Sequence, residues 1–387
     1  MRVPRTVWAL GVVSLLMDLS SELVHSLLPV FMVTVLGASM LTVGIVEGIA
    51  EATASIVKLF SGAISDRFGR RKPIVVLGYG LAALSKPLFP LAASVPLVLA
   101  ARFMDRIGKG IRGAPRDALI ADVTPEGARG AAYGLRQALD TTGALLGPLA
   151  AIALMLWLAN DVRSVLWWAV LPAILAVIVL VAFVTEPAHV QRHSSGFSLG
   201  TFAELKARVW IIVGIGAVLT LARFSEAFLV LRAQDLGLAI AMVPVVLVVM
   251  NLAYLVVAYP AGVAADRGHR KALLAWGLIA LIGSDVVMAQ TASLAVFFAG
   301  VLLWGVHMGL TQGLLSAMVA DAAPARLRGT AFGVFHLVSG VALLAASLIA
   351  GALWDAHGAA WTFYAGAAFT AAALAGLMLV GAQTAAE

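Results

Sequence analysis

Apolar stretches of about 20 residues, the length a helix needs to cross a hydrocarbon slab of roughly 30 Å, recur from Val7 to Gly381 with only short polar gaps. Twelve spans fit: 7–35, 40–63, 73–94, 95–122, 130–158 and 164–184, then 209–233, 240–263, 272–290, 293–320, 329–353 and 360–381. Hydrophobic residues make up 62% of the 387 and charged residues 12%, so lipid is the expected solvent and little chain is left for a soluble domain. The expected fold class is all-α and polytopic. The first run outlasts a cleavable signal and lacks a small-residue cleavage site, which reads as a retained helix. With no cysteine, disulfides and thiolate metal sites are excluded.

A formal charge of +6 could suggest a nucleic-acid partner, but the placement of the cations argues against one. MRVPR at the start, DRFGRRK at 66–72, the connection at 185–208 with Arg192 and Lys206, and DRGHRK at 266–271 fall on one side of the membrane. The opposite loops, LGAS at 36–39, LAAS at 91–94 and AQTAS at 289–293, carry almost no charge. The positive-inside rule makes the basic side cytoplasmic, with both termini on it.

The chain repeats itself. GAISDRFGRRK from Gly62 is echoed by GVAADRGHRK from Gly262, 200 residues later, which matches Asp66 with Asp266. LIADVTPEGARGAAYG at 119–134 is echoed by MVADAAPARLRGTAFG at 318–333, 199 residues on, which matches Asp122 with Asp321. Two echoes at nearly one spacing indicate duplicated halves. The expected organisation is a six-helix bundle over 1–185, a polar linker over 186–208 and a second six-helix bundle over 209–387.

On these motifs the whole chain resembles the major facilitator superfamily, and in its fifth helix that family's drug:proton antiporter branch. The 62–72 stretch is similar to the family's signature loop. The resemblance implies a conformational gate at Gly62, Asp66, Arg67 and Arg70, with Asp266 and Arg267 as its duplicate. A carboxylate there would pair with an arginine or a helix N-terminus in one conformation and release it in another. Arg106, Lys109 and Gly110 resemble a second motif, with Lys in place of the more usual Gln. Gly143, Gly147 and Pro148 in TTGALLGPLA resemble the antiporter motif, where small residues allow close packing and proline bends the helix. That motif favours export.

Ionisable groups at membrane depth cost at least about 2.5 kcal/mol each and are retained where they face a watery cavity or a partner. Asp18, Glu22 and His25 recur at i, i+4 and i+7, one face of the first helix, with Pro29 just beyond. The second helix carries Glu47, Glu51 and Lys58, and the fourth Arg102, Asp105, Arg106, Lys109 and Arg116. The stripes either neutralise one another as salt bridges or leave an acid for protons and a cation for substrate. The resemblance places the first, fourth, seventh and tenth helices around a cavity, adding Arg223, Glu226, His307 and Gln312, with Asn251 beside them on the eighth. Asp18, Glu22 and Glu226 are the expected proton carriers, and Asp18 and Glu22, about 6 Å apart, should share one proton. Lys86 and Asp285 fall on the peripheral third and ninth helices, at similar positions in the two halves, and read as structural.

The function expected is a secondary transporter of the inner membrane, multi-pass and monomeric. It would export a small organic solute, anionic, zwitterionic or drug-like, against protons, by rocking one half against the other. No cofactor and no resident metal are expected. The alternative is transport of a divalent metal or its chelate through Asp18, Glu22 and His25. An enzyme is not expected: there is no set of nucleophile, base and orienter, no HExxH, and no GxxxxGK[ST] for nucleotide phosphates.

Overall fold

The structure, a computed structural model, describes residues 3–68, 70–186, 204, 205, 207–323 and 327–383. Among them there is no strand. The helices are α1 Arg5–Thr34, α2 Met40–Phe68, α3 Lys72–Ser85, α4 Leu88–Leu91, α5 Val95–Val123, α6 Arg129–Trp157, α7 Val162–Trp167 and α8 Val170–Phe183. They continue as α9 Ala207–Leu221, α10 Ala227–Asp235, α11 Val245–Asp266, α12 Arg270–Gln290, α13 Leu294–Ala322, α14 Arg328–His357 and α15 Ala359–Gln383.

Ten helical segments among the described residues are long and apolar enough to cross a membrane, with α3 and α4 counted as one and α7 and α8 as another. Two further spans make up the expected twelve. One is α5, whose five internal arginines and lysines lower its mean hydropathy. The other is the pair α9 and α10, expected as one helix over 209–233 but interrupted at 222–226. Pro87 sits at the break between α3 and α4, where its missing N–H ends the ladder.

The chain divides into two compact units, Met1–Leu36 with Ile49–Ser198, and Gly37–Gly48 with Leu199–Glu387. The first turns of α2 therefore belong with the second unit, which the expected boundary at 185 does not foresee. Asp355 near the end of α14 accepts hydrogen bonds from the backbone N–H groups of Met40 (3.0 Å) and Leu41 (2.9 Å), capping α2 inside that unit.

The same pairings recur in the two units: α1 packs on α6 as α9 packs on α14, and α3 on α5 as α12 on α13. The backbone repeats too. Gly37, just after α1, and Gly237, just after α10, both take positive φ (67° and 89°), a conformation that favours glycine, and they lie 200 residues apart. Most of the 186–208 linker falls outside the described residues. Glu186, at its start, accepts a hydrogen bond from the backbone N–H of Arg71.

Candidate functional site

In the first unit, glycines on α6 set the position of α1. A Cβ at Gly143 would lie 2.4 Å from the Leu15 carbonyl oxygen, and one at Gly147 would lie 2.7 Å from Glu22 Cβ and 2.9 Å from the Leu19 oxygen. Only hydrogen fits, so the backbones close to contact and the acidic face of α1 is held against α6. Pro148 is buried in the same helix.

That contact brings together a pair of which the sequence predicts only one member. Asp18 on α1 meets Asp140 on α6, carboxyl to carboxyl. Two facing carboxylates repel, and the arrangement is relieved when they hold one proton in common. Around them, Arg136 pairs with Asp140 at 2.8 Å, Arg116 approaches Asp140 at 3.8 Å and Asp117 at 3.0 Å, and Arg116 also donates to Ser14 Oγ at 3.0 Å. The expected sharing of a proton between Asp18 and Glu22 is corrected: Glu22 is taken by His25, whose Nδ1 lies 3.3 Å from Oε2. Asp140 was legible, because it continues the Gly143 and Gly147 stripe one turn towards the N-terminus of α6, at i, i+3 and i+7.

The α5 stripe is largely neutralised. Asp105 is buried and paired with Lys86 Nζ at 2.8 Å, while Lys86 also donates to Ser21 Oγ at 2.9 Å. Arg106 lies 3.3 Å from Glu51 and 3.8 Å from the second oxygen of Asp105. Arg102 is buried and engaged, and Arg112 stacks over the Tyr79 ring at 4.7 Å. Asp105, expected in the cavity, is thereby drawn into the packing of α3 on α5. Lys109 differs: it is exposed and, among the described residues, has no ion pair or hydrogen bond.

In the second unit, the interruption between α9 and α10 falls on Arg223 and Glu226. Glu226 sits at the N-cap of α10, and the Ser225 hydroxyl accepts from the Ala227 N–H at 3.3 Å. His307 is buried, and its Nδ1 donates to the Gly277 carbonyl on α12 at 2.9 Å, so the ring serves the packing of α13 on α12. Asn251 on α11 and Gln312 on α13 are half-buried, and Gln312 is engaged. Glu47 is buried and belongs with this unit, whereas Glu51, one turn on, belongs with the first.

The expected gate is only partly visible. Gly62, Asp66, Arg67 and Asp266 are described as helical backbone alone, and Arg70 and Arg267 are exposed. Next to them, Arg71 Nε binds Asp122 at 2.5 Å, which ties the signature loop to the second repeated motif. No group of three or more His, Cys, Asp and Glu converges for a metal among the described residues, and Asp18, Glu22 and His25 divide between different partners.

The family model of the Major Facilitator Superfamily matches residues 10–231 and 212–386. An uncharacterized MFS-type transporter of Methanocaldococcus jannaschii is 33% identical over 360 residues, covering 90% of this chain and 88% of the relative. The inner membrane transport protein YajR of Escherichia coli is 26% identical over 345 residues, covering 86% and 73%. The crystal structure of the nucleoside transporter NupG superposes with a TM-score of 0.78 at 12% identity, over 97% of this chain and 99% of that one, a likeness of fold.

Proposed function

Because the chain belongs to the major facilitator superfamily and is a multi-pass membrane transporter, we propose that it exports a small anionic or zwitterionic organic solute from the cell in exchange for protons. The observation that carries the proposal is the facing pair Asp18 and Asp140, held together where the glycines of α6 bring α1 into contact. A pair of acids that keeps one proton in one environment and none in another is the part an exchanger needs, since proton binding then biases one conformation over the other.

Lys109 supports the choice of solute. It is exposed and makes no ion pair or hydrogen bond among the described residues, its charge acting on Glu22 and Glu51 from a longer range, so a carboxylate or phosphate on the solute would give it a direct partner. The resemblance of the Gly143, Gly147 and Pro148 stripe to the antiporter motif supports export, and a relative named as an inner membrane protein supports that location.

The test has two steps. A panel of organic anions and zwitterions is screened for thermal stabilisation of the purified chain, since a bound ligand raises apparent stability. The strongest ligand is then offered to proteoliposomes loaded with a pH-sensitive dye. Wild type should couple solute movement to an opposite proton flux. Asp140→Asn should exchange solute across the membrane without moving protons, and Lys109→Gln should weaken solute binding. Solute-driven proton flux that survives Asp140→Asn unchanged would remove the pair from the mechanism.

A further inference from the structure

The two units carry the same register, and one position breaks it. Asp285 on α12 lies 199 residues after Lys86, and Trp304 on α13 lies 199 after Asp105, the offset of the repeat itself. In the first unit Lys86 and Asp105 form a buried ion pair at 2.8 Å. In the second, the acid stands where the lysine stood and an indole stands where the acid stood.

Asp285 is 0% exposed, and among the described residues neither of its carboxyl oxygens has a hydrogen-bond partner; the Trp304 Nε1 is likewise buried and finds no partner among them. Its surroundings are apolar and close. A Cβ at Gly366 on α15 would lie 2.7 Å from Asp285 Oδ2 and 3.0 Å from the Phe224 ring, and Phe224 packs on Trp304 and Phe363 with centroids 5.4 Å apart in each case.

The charged and titratable groups on the neighbouring elements are committed elsewhere or do not bond to it. His307 on α13 bonds to Gly277, and Arg232 on α10 serves the Met288 and Thr291 carbonyls and Asp235. Arg223 and Glu226 in the α9–α10 interruption, Tyr254 on α11 and Tyr364 on α15 make no hydrogen bond or ion pair with Asp285. An ionised carboxylate so placed has neither donor nor counter-ion, and burial of that kind is strongly unfavourable. The carboxyl is fully buried beside Gly366 and the Phe224 ring, and a proton is a ligand that needs no further donors there.

We infer that Asp285 is a proton-binding site of the second unit, separate from the Asp18 and Asp140 pair and independent of its role. The site takes one proton on a carboxyl oxygen in the conformation seen here and gives it up when α12, α13 and α15 move enough to admit water.

Infrared difference spectroscopy of the full-length protein in lipid tests this, because a protonated carboxyl has a C=O stretch distinct from that of a carboxylate and shifts on exchange into D2O. Wild type near neutral pH should show a carboxylic-acid band that Asp285→Asn lacks, a loss of one equivalent, with the thermal midpoint of the variant unchanged. Trp304→Lys, which rebuilds the ion pair of the first unit, should convert that band into carboxylate. Wild-type and Asp285→Asn spectra with equal acid bands would overturn the assignment. So would a band that never shifts in D2O, which marks a proton that is held but not exchanged.

Discussion

The Lys86 and Asp105 pair allows the sharpest energetic prediction. Lys86 is 1% exposed and Asp105 4%, so both were taken out of solvent when α3 packed on α5. Removing one partner of a buried pair costs about 3–5 kcal/mol, chiefly through the uncompensated charge left behind. In Lys86→Met, Arg106 Nε remains 3.8 Å from the other oxygen of Asp105 and offsets part of that charge, which places the loss at the low end, about 3 kcal/mol. For a unit of this size each kcal/mol moves the thermal midpoint by about 2–4 °C, so the first unit should melt about 6–12 °C earlier. Lys86→Met combined with Asp105→Leu replaces the pair by apolar groups and should recover to within about 1 kcal/mol of wild type. Unfolding of purified protein in detergent, followed by the fluorescence of tryptophans in the first unit, reads both. A double variant as unstable as the single one would show that the pair is not the energetic unit, and an undisturbed single variant would show that Asp105 is compensated elsewhere.

Other perturbations follow the same logic. Gly143→Ala puts a methyl group 2.4 Å from the Leu15 oxygen and should cost about 1–3 kcal/mol, whereas Gly134→Ala on the same helix meets nothing within 4 Å and should be neutral or stabilising by about 0.5 kcal/mol; thermal midpoints compare them. Asp355→Ala frees the N–H groups of Met40 and Leu41 and should cost about 1 kcal/mol, read as faster amide exchange at the start of α2. Asp161, outside the spans, caps α7. The Ser164 hydroxyl and the N–H groups of Ser164 and Arg163 donate to it and hold its carboxyl below the ordinary carboxylate range. A depressed folded-state value contributes stability above the unfolded value of about 3.9, lost as pH falls through the lower folded value. Melting curves between about pH 5 and pH 2 should therefore fall more steeply for wild type than for Asp161→Asn, which still caps but does not titrate.

The legible parts of this fold were those in which a local pattern has one physical meaning. Apolar length placed the spans, because a bilayer has a fixed thickness, and the offset of 199 to 200 residues disclosed the duplication, later repeated by the positive φ of Gly37 and Gly237. Partners were a different matter. Helical periodicity puts Asp18, Glu22 and His25 on one face, but not which neighbouring helix supplies the opposing group. Spacing pairs Asp18 with Glu22 where the fold gives it Asp140, and it puts Asp105 on a cavity-facing stripe without naming Lys86 as the group that neutralises it. A stripe of charge reports that compensation exists; the contact that supplies it depends on how closely the helices approach, and here glycines such as Gly143 and Gly108 set that distance.

The interruption between α9 and α10 makes the same point from the backbone. TLARFSEAF contains neither proline nor glycine, and its residues are ordinary helix formers, so periodicity runs straight through. Yet residues 222–226 are not α-helical. Backbone that leaves the helical ladder at membrane depth must be satisfied by protein or water. Part of that is supplied locally: the Arg223 N–H donates to the Thr220 carbonyl at 3.1 Å and the Ala227 N–H to the Ser225 hydroxyl. The rest of the explanation lies in tertiary packing, since the break turns Phe224 into the aromatic cluster with Phe228, Trp304 and Phe363. A continuous helix would carry Phe224 elsewhere along its spiral and leave Gly366 with Asp285 but without the ring beside it. Phe224→Ala should therefore do more than create a cavity. With the anchor gone, the favourable local propensity wins, and amide exchange over 222–226 should slow as the helix closes. Faster exchange there would mean that the packing does not hold the break open and that local chemistry at Ser225 does.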